Sequence, residues 1–501
     1  MEDFFELREG EMWKRLFLVL AGLFLGLNIN ARILNYPRSQ DIITLDPAIQ
    51  WQYYTSEVLS NIYEGLVKFK GTYYKLSPLL AERWEALEGG KKWRFYLRKG
   101  VKFHDGSPFN ADSVISSFNR QKGKKFATMK ALLPFLKKIR KIDDYTVEFV
   151  FEKPNAALPS VLANPFAFIV KADKNGKIGV GTGPFKLKTW VKGKYVLIET
   201  NRDYWGSPPE IDGVRFPVVK DSYLRVLQLK NGNADVLSRL SRKEYEDLKN
   251  QKGIRIIKFP KLDVNYITFN SSRPPFNDLR VRKAVTLLIN RDRLVKLVFG
   301  ELAEPVSFPV PASLIFKLKP AGYNPQEAKK LLVQAGYPNG FSCNLIYLKG
   351  SPYGDVVNMV ARNLLEANIL VKPVALPCNK LMRSIFHGDF DMVIGGWVAD
   401  VPEVSNFIYS RSFPFSPRVP SKSPYYNEAM KIISEARNTL DPVKRKELYT
   451  RVIRKIMEEY LTVPLYRSFH VVAYRERIEG LEVNPKGYVL FRKVKIKEVK
   501  D

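Results

Sequence analysis

Between Phe341 and Trp397, strand-like and helix-like segments take turns. FSCNLIYL (Phe341 to Leu348) reads as a buried strand, VVNMVARNLLEAN as an amphipathic helix, and FDMVIGGW as a second strand. Parallel neighbours need a crossover long enough to hold a helix, so this alternation predicts a mainly parallel α/β sheet. The flanks agree. VRKAVTLLINRDRLVKLVFG predicts one long amphipathic helix, NPQEAKKLLVQAG a second opened by Asn-Pro, and DPVKRKELYTRVIRKIMEEY a third that is rich in charge. TVPLYRSFHVVAY then reads as a strand. Earlier in the chain the texture differs. Residues 32–46 predict a strand and a loop, and residues 54–67 a helix closing near Gly65. From about 72 to 175 the pattern is β-rich, with WRFYLRKGVKF and YTVEFVFEK around a helical ADSVISSFNRQ. From about 180 to 262, strands such as KYVLIET and VRFPVV flank a helix at SYLRVLQLKNG. The 501 residues thus divide into an early α/β lobe with a β-rich insertion and a second α/β lobe at about 265–475.

The N-terminus has the pattern of a secretory signal. Trp13, Lys14 and Arg15 precede an unbroken apolar run from Leu16 to Leu27, and Ala31 supplies a small residue for cleavage. The run is shorter than the ~18 to 20 apolar residues that span a bilayer comfortably. Because the first eleven residues are acidic, translation is expected to start at Met12. No cysteine lies nearby, which rules out a lipid anchor on an N-terminal Cys. The mature chain is therefore expected to be soluble and periplasmic.

Net charge is +30, spread along the chain rather than gathered in a tail. Lys and Arg are interspersed with acids and no nucleic-acid motif appears, so the charge reads as a solvated surface and no nucleic-acid partner is expected. Anionic-polymer binding remains a rival reading. Cys343 and Cys378 are too few for a disulfide framework or a zinc cluster, and the three histidines argue against a His-rich metal site.

Motifs for catalysis are missing: there is no G-x-S-x-G elbow, phosphate-binding Gly-rich loop with Lys, H-E-x-x-H or paired C-x-x-C. GVGTGPF (Gly179 to Phe185) superficially resembles a dinucleotide loop, but Pro184 and the strand-like KLKTW follow where a helix is needed, so a turn between strands is predicted. His104 in HDG reads as part of a turn rather than as a catalytic base. No cofactor and no enzymatic activity are expected, a cleft hydrolase being the rival of another class.

Several stretches together resemble the extracytoplasmic solute-binding proteins that serve ABC importers of dipeptides, oligopeptides and nickel. They are NIYEGLV (Asn61 to Val67), LAERWEALEGGKKWRFYLRKGVKFHDGSPFNADSVISSFNR (Leu80 to Arg120), GTGPFKL, NRDYWGSPPEIDGVRF and PFNDLRVRKAVTLLINRDRL. YNPQEAKKLLVQAGYPNGF, DFDMVIGGWVAD and DPVKRKELYTRVIRKIMEEYLTVPLY complete the series. The resemblance implies a periplasmic-binding-protein-like Venus flytrap (type II, cluster C), with two α/β lobes joined by two chain crossings and an inserted β-rich domain. On that expectation residues 1–31 are a signal peptide. Lobe I comprises 32–57, 179–262 and 476–501, the insertion 58–178, and lobe II 263–475. The partners implied are a peptide, or an oligosaccharide or nickel chelate in other members, and the membrane permease; a monomer is expected.

The resemblance also implies a ligand site. In peptide-binding members an aspartate after G-W-x-x-D pairs with the ligand's α-amino group, which places Trp397 and Asp400 there. An ammonium entering a dry cleft needs such a counter-charge. In dipeptide binders an arginine on the preceding helix holds the ligand carboxylate; Tyr353 to Val357 contain none, which argues against strict dipeptide specificity. The segment Ile49 to Val58 lies where relatives bring a first-lobe loop to the ligand, so Trp51, Tyr53 and Tyr54 are candidate walls.

Overall fold

A computed structural model describes residues 32–50, 52–71, 74–121, 133–172, 177–399, 401–408 and 425–497. The expected signal segment, Trp51 and Asp400 lie outside the described residues.

Three sheets organise the chain. The first has the order Ile33–Asn35, Gly213–Pro217, Tyr195–Thr200, Phe185–Val191; its first pair is parallel and the others antiparallel. Its core holds Leu34, Val58, Leu59, Ile62, Val214, Val489 and Phe491. Distant stretches thus close this lobe together. The expected boundary at 57/58 falls inside the helix Tyr53–Ile62, whose Val58, Leu59 and Ile62 belong to this core. The helix is part of the first lobe because that is where its apolar face is buried.

The insertion follows as an antiparallel sheet in the order Ala81–Leu87, Lys92–Leu97, Thr146–Phe151, Leu136–Asp143. The helix Ala111–Asn119 covers it, started by Asn110, whose side chain accepts from Ser113 N while the Ser113 hydroxyl meets Asn110 N. Phe149 lies 5.6 Å from Phe95 and 5.3 Å from Phe118, an aromatic centre between sheet and helix. Deleting such a side chain typically costs about 3–5 kcal/mol.

The largest sheet joins the lobes. It runs Val236–Ser238, Thr462–Arg475, Asp263–Phe269, Met392–Val398, Phe341–Leu348, Ile369–Leu376, with Ile254–Pro260 and Ala303–Pro305 also on the long strand. Only Phe341–Leu348 pairs in parallel, with both its neighbours; the rest is antiparallel. The mainly parallel expectation therefore holds for three strands, where the crossover helices lie, and fails beyond them. The long helix expected from Val281 to Gly300 is two, Leu279–Leu288 and Arg291–Val298. Asn290 breaks it: its backbone N–H goes to Asn363 Oδ1 at 2.9 Å and its side chain caps the second helix through Arg293 N.

The strand Thr462–Arg475 is the structural link between the lobes. Residues 462–466 pair with Asp263–Phe269, whereas residues 469–475 pair with Ile254–Pro260. The chain crosses between lobes twice, at Pro260 to Asp263 and at Arg467 to His470. Residues 469–475, which the expected 475/476 boundary puts in the second lobe, pair with Ile254–Pro260 from the segment expected in the first.

Candidate functional site

Around the crossings the first lobe presents an aromatic and cationic wall. Tyr53 begins its helix; its ring lies 5.7 Å from Tyr54 and 5.1 Å from Tyr488. The Tyr53 hydroxyl donates to the Gly487 carbonyl, and the Tyr54 hydroxyl shares a 2.9 Å hydrogen bond with Ser39. Both hydroxyls are thus engaged within the protein. Above the two rings lies Arg239, its guanidinium 4.5 Å from the Tyr53 centroid and 5.7 Å from that of Tyr54. Arg239 is exposed, has a left-handed backbone (φ 57), and its guanidinium makes no hydrogen bond or ion pair among the described residues. A non-glycine residue held in that conformation is costly and clusters at ligand sites. Sequence reasoning missed Arg239, since nothing local distinguishes it from the other basic residues.

Behind this wall is a buried carboxylate. Glu57 Oε1 accepts from Val489 N at 3.1 Å and lies 3.1 Å from the Tyr36 hydroxyl and 3.4 Å from that of Tyr53. Burial pushes its carboxyl up to about 7, with Arg38 opposing.

The second lobe contributes the strand Met392–Val398 and the helix Tyr353–Leu365, whose first residue meets that strand through Asn265. Trp397 pairs with Val264 across strands, and its indole N–H donates to Asn406 Oδ1 at 2.8 Å. The ring packs against the second-lobe core. Gly396 is needed next to it: a Cβ there would lie 2.4 Å from Asn265 Oδ1, which accepts from the Tyr353 hydroxyl at 2.9 Å. Tyr53 and Tyr54 are thus together on one lobe and Trp397 is on the other.

The crossings carry charge between the walls. Lys261 N donates to Ser468 O at 2.9 Å, Ser468 N to Asp263 Oδ1 at 3.0 Å, and Glu304 pairs with Arg467. Burial raises the Asp263 carboxyl, opposed by Lys261, and lowers the Lys261 amine. The His470 ring lies tilted against Phe259, 5.1 Å between centroids; burial first, then Lys261 and Arg239, holds it well below the ordinary imidazole range. It is neutral. Gly487 fits against it, where a Cβ would come 2.2 Å from Nδ1.

Other conspicuous residues have architectural roles. Glu64 of NIYEGLV is buried and accepts from Thr182 Oγ1 at 2.9 Å, Tyr204 OH at 2.7 Å and Trp205 Nε1 at 2.8 Å. Three separate sequence motifs therefore meet on one carboxylate, which burial raises above its ordinary range. His104 accepts from Gly181 N at 3.2 Å and donates to Gly183 O at 3.0 Å, which ties its turn to the GTGPF turn. Burial lowers its imidazole to about 4. GTGPF itself connects the strands Ile178–Val180 and Phe185–Val191, as expected. Gly181 and Gly183 lie so close to Ile62 O that a Cβ on either would overlap it. Among the described residues no cluster of His, Cys, Asp and Glu is arranged to hold a metal ion, and no helix is long and apolar enough to cross a membrane.

Comparison with known proteins places this arrangement. The chain is 29% identical to the dipeptide-binding protein of Escherichia coli over 475 residues, 87% of this chain and 89% of that one. It is 28% identical over 468 residues to the glutathione-binding protein GsiB of Escherichia coli, covering 88% and 90%. Among solved structures, HbpA2 from Haemophilus parasuis superposes with a TM-score of 0.84 at 26% identity, over 93% of this chain and 100% of that one. The ABC transporter-associated periplasmic binding protein DppA from Helicobacter pylori, in complex with the peptide STSA, gives 0.71 at 27% identity, over 92% and 98%. The fold is the two-lobed Venus flytrap of periplasmic binding proteins. Residues 75–416 match the model of the bacterial extracellular solute-binding proteins, family 5. With that match covering most of its length, the chain belongs to family 5 of the bacterial extracellular solute-binding proteins.

Proposed function

We propose that the protein binds oligopeptides outside the cytoplasm and delivers them to the permease of an ABC importer, without catalysing a reaction. The observation that carries this reading is similarity along nearly the whole chain to di- and tripeptide-binding relatives and to a structure holding a tetra-residue peptide. The hinge geometry supports it. A ligand that touches Tyr53 and Arg239 on one lobe and Trp397 on the other favours the closed state by its differential affinity. Residues 1–31 serve as the export signal. The first lobe is formed by about 32–63, 179–260 and 469–497, and the second by about 263–466. The protein acts as a monomer.

In this reading Asp400 neutralises the peptide ammonium and Arg239 meets its carboxylate. Arg239 replaces, from the first lobe, the arginine that the Tyr353–Val357 stretch lacks. Removing one partner of a buried charged pair costs about 3–5 kcal/mol, so Asp400→Asn is expected to weaken a free-amine peptide by roughly two to three decades. The N-acetylated peptide should bind wild type poorly and lose little more. The probes are peptides recovered from the purified protein and identified by mass spectrometry. Equal affinity of wild type and Asp400→Asn for the free-amine peptide refutes the assignment.

A further inference from the structure

A second cavity, of about 600 Å³, is lined by Lys68, Lys70, Glu482, Arg492 and Lys493 together with Phe69 and Leu490. Its walls are the hairpin Val67–Lys70 and Lys75–Pro78, the loop after Tyr204, and the C-terminal stretch from Glu482. The lining residues come from the first lobe and its insertion, with Phe69 also packed against the second-lobe core. Its volume lies within the ~300–1,000 Å³ usual for small-molecule sites.

The charge inside is unbalanced. Four cationic side chains line the cavity against one carboxylate. Glu482 is fully used, held by Arg492 Nη2 at 2.6 Å and Lys493 at 2.8 Å. Lys68 and Lys70 make no hydrogen bond or ion pair among the described residues. Glu64, the next carboxylate, already accepts three hydrogen bonds from Thr182, Tyr204 and Trp205. Lys68 is half-buried and faces Arg492 and Lys493 as well as Glu64 and Glu482; burial, then Arg492, lowers its amine to about 8. A fold gains nothing from drawing unpaired cations together around an open space, because each disfavours the others. An anion placed among them removes that cost and gains charge-assisted hydrogen bonds.

We propose that this cavity binds a small, multiply charged oxyanion, a phosphate monoester or a polycarboxylate, with Lys68 as its central contact and Phe69 and Leu490 against its apolar part. The site is independent of peptide binding. A phosphate monoester carries close to two charges at pH 7 and above, so the cavity has the charge to balance it.

The test uses the full mature protein and three probes, inorganic phosphate, phenyl phosphate and citrate, measured by isothermal titration calorimetry at fixed ionic strength. Phenyl phosphate or citrate is expected to bind saturably to wild type and to Lys372→Gln, a change on the strand Ile369–Leu376 outside the cavity, and about tenfold or more weakly to Lys68→Gln. Tighter binding of phenyl phosphate than of inorganic phosphate assigns the site to an organic monoester, and preference for citrate assigns it to a polycarboxylate. Because an amine near 8 is about nine-tenths charged at pH 7 and about one-tenth at pH 9, affinity should fall about tenfold across that interval. Thermal unfolding of Lys68→Gln, unchanged from wild type without added anion, establishes that the variant is folded. If its unfolding is lowered, Lys68→Arg, which keeps the charge, should bind like wild type at pH 7 and lose the fall at pH 9. Equal affinity of wild type and Lys68→Gln for all three probes would mean an ordinary basic surface and overturn the proposal. Competition between phenyl phosphate and a bound peptide would overturn it too, by making the cavity part of the transport site.

Discussion

Replacing Glu64 separates charge from connectivity in the first lobe. In Glu64→Ala three donors lose their acceptor at once: the Thr182 hydroxyl, the Tyr204 hydroxyl and the Trp205 indole N–H. Each unsatisfied buried donor costs about 1–3 kcal/mol, and relief of the desolvated carboxylate offsets part of the total. The expected net loss is about 4 kcal/mol. Glu64→Gln is different, and the geometry says why. Thr182 and Trp205 both donate to Oε2, whereas Tyr204 alone reaches Oε1. A glutamine can put its carbonyl oxygen at the Oε2 position, leaving its amide to donate to the Tyr204 hydroxyl, which accepts as readily as it donates. All three contacts survive, and no buried charge remains. The readout is amide hydrogen exchange at Gly183, whose N–H bonds Ile62 O, and at Ile169, whose N–H bonds Glu64 O. At ~1.4 kcal/mol per decade, exchange should quicken by about a thousandfold in Glu64→Ala and by less than about tenfold in Glu64→Gln. Equal acceleration in the two variants would show that the charge, not the three-way connection, holds these segments.

Further outcomes follow from the same structure. Glu57, with its folded carboxyl raised from 4.5 to about 7, binds more protons folded than unfolded in that window, so its contribution makes stability fall as pH rises. His104, lowered from 6.5 to about 4, does the reverse: its stabilisation is fully present above 6.5 and is lost as pH falls towards 4. Relative to wild type, Glu57→Gln should therefore gain up to about 3 kcal/mol as pH rises from 4.5 to 7, and His104→Gln should gain as pH falls from 6.5 to 4. Urea titrations at several pH values check both, and flat differences would refute them. Arg239→Gln should weaken a free-carboxylate peptide by about one to two decades while leaving its C-terminal amide unaffected, as calorimetry would show. Trp397→Phe removes the hydrogen bond to Asn406 but keeps the packing, so thermal unfolding should shift by the equivalent of about 1 kcal/mol.

The elements most legible in the sequence were those with local signals. The strand–helix alternation from Phe341, the helical ADSVISSFNRQ that becomes Ala111–Asn119, and the Asn324-Pro325 start of Pro325–Gln334 are each written within a few residues. The break at Asn290 was not, because apolar spacing runs through it and the interruption depends on Asn363 from another helix. The hinge escaped for a similar reason: TVPLYRSFHVVAY reads as one strand, and only its partners show that it belongs to two lobes. Among candidate site residues, Tyr53, Tyr54 and Trp397 came from position in a resemblance. Arg239 came from neither period nor motif, and Glu64, although inside NIYEGLV, showed no role there, since both act on groups brought together from far along the chain.

The closing of the first lobe by Val489 and Phe491 has a consequence for the order of folding. Phe491 N–H bonds Asn61 Oδ1 at 3.0 Å, and Val489 N–H bonds Glu57 at 3.1 Å, across separations of 430 and 432 residues. Until those late residues have left the ribosome, Glu57 Oε1 and Asn61 Oδ1 lack these backbone donors and the apolar face of Tyr53–Ile62 has an unfinished cover. Contacts of such span form slowly, because the intervening chain must be gathered first. The insertion and the second lobe can take shape during synthesis, while the lobe that starts first is completed last. A nascent chain built this way keeps its first lobe open for nearly the whole of its translation.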